Sequence, residues 1–403
     1  MFFIPKERAY ARSHPHVDFN VDLRTSPPHF WALLGKATSK SQHIARALLD
    51  PEASRELMEV YLARGVLATT AIEGNTLSEE EVRGVLEGTL KLPPSREYLQ
   101  REVENVLAAY NDAYGEILAD PAAPMTVDWL CRFNERILRD LELDEGVVRG
   151  EIRTGSVVVG RYRAVPAADA EYLLQRLCDW LNGSDFDAPG DQPELGAPLA
   201  ITKAMVAHLY LAWIHPFGDG NGRTARLLEL QILLRAGFPA PTCQLLSNHY
   251  NLTRTEYYRR LDEASRARDE MGFLVYAARG FVDQLKEQLE TIFVRQFADR
   301  WEQFVYQTFG GATSPSEHRR IRVALELSRR SSATGEPVLS KEIPQLSPEL
   351  ARAYATKTGK TLTRDVNALK QMGLIAARGR GLVPTTSKIQ GLWPEVEGGV
   401  LLD

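Results

Sequence analysis

The stretch that most constrains this 403-residue chain is a pair of expected helices joined by a glycine-rich turn. An apolar helix is expected from Pro198 to Ile214 and runs directly into His215-Pro216-Phe217-Gly218-Asp219-Gly220-Asn221-Gly222-Arg223. Arg226 follows one helical step later, on a second helix expected from Gly222 to Ala236, which Pro239 and Pro241 end. Glycines ahead of a helix allow backbone N–H groups to turn toward an anion. Arginines grip phosphate oxygens in bidentate fashion. Asp219 offers a hard oxygen ligand of the kind magnesium takes beside substrate phosphates. His215 supplies a base with an ordinary pKa of about 6.5. These residue types together describe a nucleotide-phosphate site with its own general base. The calcium-loop pattern fails, because Arg223 stands at the third ligand place and no glutamate closes the loop.

The whole segment from His215 to Arg226 resembles the signature of the Fic family, His-x-Phe-x-Asp/Glu-Gly-Asn-Gly-Arg-x-x-Arg, with every defined position filled. The resemblance implies transfer of AMP from ATP to a Tyr, Thr or Ser hydroxyl of a target protein. In that scheme His215 is the catalytic base and Asp219 binds Mg²⁺ bridging the α- and β-phosphates. Gly220, Asn221 and Gly222 form the anion cradle, Asn221 contacts the α-phosphate, Arg223 meets the β-phosphate and Arg226 the γ-phosphate. ATP and Mg²⁺ are the implied substrate and metal. Asn251, Tyr257 and Tyr258 resemble the region that completes the nucleoside pocket. Thr69-Thr70-Ala71-Ile72-Glu73-Gly74 resembles the family's inhibitory motif, in which Glu73 pairs with the last arginine of the signature. Gly150 to Gly160 resembles the flap hairpin, where Val157, Val158 and Val159 offer an edge for an extended target segment. Removal of AMP from modified targets is the other chemistry such a site implies, and self-association is a family habit.

Around this centre the pattern is mainly helical, with one hairpin. Residues 1 to about 40 read as an arm. Helices are expected at 54–72, from a Ser78–Glu81 capping box, at 96–118, at 127–138 after Thr126, at 167–181, at 253–266 and at 271–297. Val- and Gly-rich residues 147–165 read as the hairpin. His208 lies seven residues before His215; a two-histidine metal site is one reading, a hydrogen-bonded structural histidine the other. The texture changes after 313: three helices, at 319–330, 340–346 and 361–372, are followed by a Gly/Arg-rich hairpin, the order of a winged helix-turn-helix. The expected organisation is therefore 1–94 with the inhibitory helix, 95–300 as catalytic core and 313–403 as a winged-helix-like domain.

Charge supports that division. The chain carries 48 Lys/Arg against 53 Asp/Glu, a net of −5. From Thr313 to Lys388 fourteen Lys/Arg face six Asp/Glu, a net of +8, so the remainder carries −13. This split suggests that the C-terminal part contacts DNA or protein, and a DNA-binding regulator that uses the nucleotide site as a sensor is the alternative to an enzyme. Cys131, Cys178 and Cys243 show no metal spacing. No transmembrane-length apolar run and no signal-like start are evident, so a cytoplasmic protein without a membrane partner is expected.

Overall fold

The computed structural model describes residues 8–311 and 314–389. It contains two compact units, 1–292 and 293–403. The boundary expected near residue 94 does not divide compact units: helices on both sides of it share one core, to which Phe30, Leu34, Val66, Leu99 and Val103 all contribute. The second boundary falls inside a helix rather than in a linker after residue 300.

Unit one begins with a helical turn, α1 (Tyr10–Ser13), and then α2 (Pro28–Ala45), within what the sequence suggested was an arm. Pro28 at the helix start, where no intrahelical donor is needed, and a buried face of Phe30, Leu34, Ala37 and Ile44 account for it. Helix α3 (Pro51–Ile72) is capped by Asp50, which accepts from Glu52 N–H and Ala53 N–H, and ends at Glu73. Gly74 then turns the chain with φ 108°. The Ser78–Glu81 capping box opens α4 (Glu79–Leu86). Helices α5 (Glu97–Ala119) and α6 (Val127–Ile137) follow, the latter capped by Thr126. The β signal is shorter than its valines suggested: only β1 (Val158–Val159) and β2 (Tyr162–Arg163) pair, antiparallel, while Ile152 makes an isolated bridge with Phe217.

Helices α7 (Ala167–Asn182), α8 (Gly196–Ile214), α9 (Asn221–Arg235), α10 (Leu245–Leu252), α11 (Arg254–Ala267) and α12 (Glu270–Phe309) complete the unit, α12 continuing into the second. Helix α8 is the centre, with side chains buried on every face, from Leu199 and Ile201 to Trp213 and Ile214. A helix apolar all round must be enclosed by others. Contrary to the expectation, Pro193–Ile214 is long and apolar enough to cross a bilayer by composition, yet 78% of its most apolar window is buried inside the protein, as in a core helix.

Unit two packs the end of α12, through Trp301 and Val305, with α13 (Pro315–Thr334), α14 (Pro348–Tyr354) and α15 (Gly359–Gln371) around Ile321, Leu350 and Leu369. The segment expected as a second helix is a 3-10 stretch, Ser340–Gln345, and α14 after it was not anticipated. Strands β3 (Ile375–Arg378) and β4 (Gly381–Pro384) form an antiparallel hairpin, and Val338 bridges to Leu382.

Candidate active site

Helix α8 stops at His215 because the histidine backbone turns left-handed, φ 50° and ψ 61°. Such a conformation costs a non-glycine residue about 1–2 kcal/mol, so neighbours must hold it. Arg153, 7% exposed, does so. Its guanidinium donates to the carbonyls of His215 at 2.7 Å, Val165 at 2.6 Å and Gly155 at 2.7 Å, and its backbone N–H donates to Pro216 O at 2.9 Å. One buried cation thereby ties the loop to the flap.

Asn221 closes the next turn. Its Oδ1 accepts from Phe217 N–H and its Nδ2 donates to Phe217 O, both at 2.9 Å, while Phe217 is fully buried. Asn221 is thus held against the loop backbone at the start of α9, where it also lines the cavity described below, and its Nδ2 keeps a second hydrogen beyond the one given to Phe217. Asn134 supports the same loop from α6. Its Nδ2 donates to Asp219 O at 2.9 Å, and its Oδ1 accepts from Gly150 N–H at 3.0 Å. Gly220 has φ 76°, and a Cβ there would lie 2.8 Å from Asn134 Nδ2, so only glycine fits.

Arg226 is 1% exposed and already engaged. Nε donates to Thr69 Oγ1 at 2.8 Å, and Nη2 donates to Thr69 O at 3.0 Å and to Glu73 Oε1 at 2.5 Å. Nη1 is buried without a partner. The Glu73 carboxylate lies over the loop: a Cβ on Gly222 would be 2.3 Å from its Oε1. Burial acts to raise the Glu73 pKa, but the Arg226 charge and hydrogen bond outweigh it and hold the carboxyl below its usual range. Glu73 is therefore an anion at neutral pH.

His215 is moved the other way. Burial pushes it down to about 4; the Ala212 carbonyl acts upward, Arg153 downward, and Glu73 and Asp219 upward. The imidazole is neutral at physiological pH. A ring nitrogen engaged by a backbone carbonyl leaves the other as an acceptor, the form a general base requires.

The residues surround a cavity of about 540 Å³. Its lining includes His215, Asn221, Gly222, Arg226 and Glu73 together with Tyr257, Tyr258, Val159 and Tyr162. Tyr257 and Tyr258 are thus placed where expected, whereas Asn251 does not line the cavity. Tyr257 is 3% exposed and hydrogen-bonds through its hydroxyl to His208 Nε2 at 2.9 Å. His208 Nδ1 lies 3.1 Å from Glu229 Oε2, and Tyr250 donates to Glu229 Oε1 at 2.8 Å. His208 is therefore held in a buried hydrogen-bonded network behind the cavity-lining Tyr257, and no group of three metal ligands exists among the described residues. Tyr258 donates to Ile72 O at 3.3 Å, joining the cavity wall to the end of α3.

Asp219 and Arg223 line an adjoining cavity with Glu102 and Arg101. Arg223, 5% exposed, donates to Glu102 Oε1 at 3.2 Å and Asp219 Oδ1 at 3.4 Å. Asp219 keeps a half-exposed carboxylate, 48% accessible. It shares that cavity with the carboxylates of Glu97, Glu102, Asp140 and Glu142; an accessible carboxylate suits a magnesium ion that brings phosphate oxygens with it, since Mg²⁺ takes one or two protein carboxylates beside substrate phosphates. On the flap, Val158 and Val159 are 54% and 40% exposed and Val157 is half-buried. Gly160 takes φ 59° in the two-residue turn to Tyr162.

Fold and site together define a helical domain built around the glycine-rich loop between α8 and α9, with a buried, neutral His215 at its start. Residues 124–233, which include the loop and the helices on either side of it, match the model of the Fic/DOC family. The chain is 34% identical over 228 residues to protein adenylyltransferase fic-1 of Caenorhabditis elegans, covering 56% of this chain and 40% of the worm protein. It is 30% identical over 225 residues to protein adenylyltransferase Fic of Nematostella vectensis, covering 56% of this chain and 48% of that one. The matches thus span less than half the length of those relatives. The solved structure of Fic-1 from C. elegans superposes with a TM-score of 0.53 at 27% identity, covering 66% of this chain and 73% of that one. A Fic family protein from Desulfovibrio desulfuricans shares the fold, with a TM-score of 0.54 at 22% identity over 90% of this chain and 97% of its own.

Proposed function

We propose that this chain is a nucleotidyltransferase that moves AMP from ATP to a Tyr, Thr or Ser hydroxyl of a target protein, and that Glu73 holds it at rest. The observation that carries the reading is the neutral His215 facing the same cavity as Arg226 and the start of α9. In the reaction the target hydroxyl gives its proton to the free nitrogen of His215 as its oxygen bonds to the α-phosphorus. The bond from that phosphorus to the bridging oxygen breaks, and pyrophosphate leaves. General-base assistance of this kind is worth about 10²–10⁴-fold. The N–H groups at the start of α9 face the phosphate charge. Magnesium enters as part of the substrate, with Asp219 as the carboxylate available to it.

Glu73 supplies the regulation in this reading. Its carboxylate occupies the side of Arg226 that a γ-phosphate would use, an anion-for-anion substitution. The exposed edge of β1 supplies a backbone template for an extended target segment, which then brings its hydroxyl to His215 with little sequence demand. Unit two has the helix, bridge and hairpin order of a winged helix and forms a separate module on this proposal.

The test is mass spectrometry of a cell lysate incubated with Glu73→Gly protein and MgATP. AMP adducts on hydroxyl side chains that vanish when His215→Ala is added to the same chain are the expected result. Adducts on histidine or cysteine, or adducts unaffected by His215→Ala, would overturn it.

A further inference from the structure

The second unit carries charge that its own fold does not use. Arg319 and Arg320 are internal: their Nε atoms donate to Asp365 at 2.7 and 2.8 Å, and Tyr354 donates to the same carboxylate at 2.9 Å. Asp365 is 1% exposed and is the only acid on α15. With Val366 and Leu369 it fixes which side of α15 is buried. The opposite side is a continuous exposed stripe of Lys360, Thr363, Arg364, Asn367, Lys370 and Gln371. Beside it, the β3–β4 hairpin pairs Arg378 with Gly381 and turns at Gly379, φ 58°, so that Arg378 and Arg380 are exposed at its tip. The N-terminal end of α15 has no side-chain cap, because Thr358 makes none.

From Ala355 to Lys388 the exposed surface has seven Lys/Arg, no carboxylate, no aromatic residue and no large exposed hydrophobic side chain. Each absence excludes a partner class. Single-stranded nucleic acid is held largely by stacking on aromatics. Protein interfaces need buried apolar or aromatic anchors. What remains is a cationic stripe carrying the side chains that read base edges: Arg for guanine, Asn and Gln for adenine. A helix of about 10–12 Å diameter fits the major groove of B-form DNA, about 12 Å wide, and not the deep, narrow groove of A-form RNA. The net −13 on the rest of the chain concentrates attraction for a polyanion on this face.

We propose that unit two is a reader of double-stranded DNA, with α15 in the major groove and the Arg378–Arg380 tip on the adjoining backbone. This rests on none of the catalytic reading. If about six of the seven cations meet phosphates, affinity falls about a thousandfold between 50 and 200 mM salt.

The experiment measures fluorescence anisotropy of the full-length protein with 30-base-pair duplexes of randomised sequence, followed by selection from the same pool. Expected are salt-sensitive binding, an enriched motif, and a loss of about 5- to 150-fold on the motif for Arg364→Ala. The double variant Arg378→Ala/Arg380→Ala should weaken all duplexes alike and lower the salt slope by about 2. All three side chains are exposed, and unchanged thermal midpoints will show that the variants fold. Arg46→Ala, an exposed site in unit one, should leave binding unchanged. No duplex binding at 50 mM salt, no enriched motif, equal loss with Arg46→Ala, or better binding to an RNA hairpin of the same length would each overturn the proposal.

Discussion

The Glu73–Arg226 contact permits a quantitative forecast. Its hydrogen bond is charge-assisted, 2.5 Å long, and made to an arginine that is 1% exposed. Such bonds are worth about 1.5–3 kcal/mol. Glu73 itself keeps 30% of its side-chain surface, which places the contact toward the lower half of that range. If ATP must break it to seat its γ-phosphate, Glu73→Gly should raise AMP transfer by about tenfold to fiftyfold, since 1.4 kcal/mol is one factor of ten. Glu73→Gln retains the shape, with a weaker neutral hydrogen bond, and should fall between. The free protein should lose stability at the same time, because Arg226 keeps only Thr69 as partner. The assay is time-resolved incorporation of α-labelled ATP into the protein itself, paired with calorimetric ATP affinity and a thermal melt. Equal labelling and equal ATP affinity in wild type and Glu73→Gly would refute autoinhibition while leaving the transfer reading intact. An activated Glu73→Gly with no loss of stability in the free protein would instead show that the contact blocks ATP without supporting the fold.

Other expectations follow from the same geometry. Arg153→Met removes a cation bonded to four carbonyls and should lower transfer at least tenfold with a reduced thermal midpoint; activity at the wild-type level would show that the loop holds itself. Tyr257→Phe leaves His208 Nε2 buried without its partner and should cost about 1–3 kcal/mol in chemical denaturation, with a raised KM for ATP; no change in either would deny that the network shapes the cavity. His16, His215 and His249 are each pushed down to about 4, mainly by burial, so the unfolded chain binds more protons than the native one between pH 6.5 and 4. Stability should therefore fall as pH drops through that window, and a flat melting profile would contradict the burial of these rings. The acid limb of kcat/KM should likewise lie below 6.5, nearer 4, and a limb at 6.5 would deny a desolvated His215.

Part of the fold was legible because some helices announce their own starts. Ser78 and Thr126 cap the helices that follow them, as their sequence patterns indicate, whereas the Asp50 cap that starts α3 three residues before the expected Ser54 did not stand out. The arm was misjudged because α2 owes its existence to packing of Phe30 and Leu34 in the core rather than to local periodicity. In the site, His215, Arg226 and Glu73 could be paired from motifs. The functions of Arg153 and Asn134 could not, since both act on backbone carbonyls and N–H groups distant in sequence. The part Asn221 plays in bracing Phe217 was not legible either, since an amide that faces a cavity can also hold its own loop, and only the turn geometry shows it.

The left-handed backbone at His215 sets stability and activity against each other at one residue. Glycine would adopt that conformation without the 1–2 kcal/mol penalty, and the ring faces a cavity, so its loss leaves little unfilled core. A screen for thermal stability alone would thus favour His215→Gly by whatever exceeds the ~0.5–1 kcal/mol that glycine's unfolded-state freedom costs, at the position proposed to hold the base. On the proposed function, variants drifting under selection for foldedness alone should lose the base at this position first, while keeping the loop, the cavity and the Glu73 contact in place.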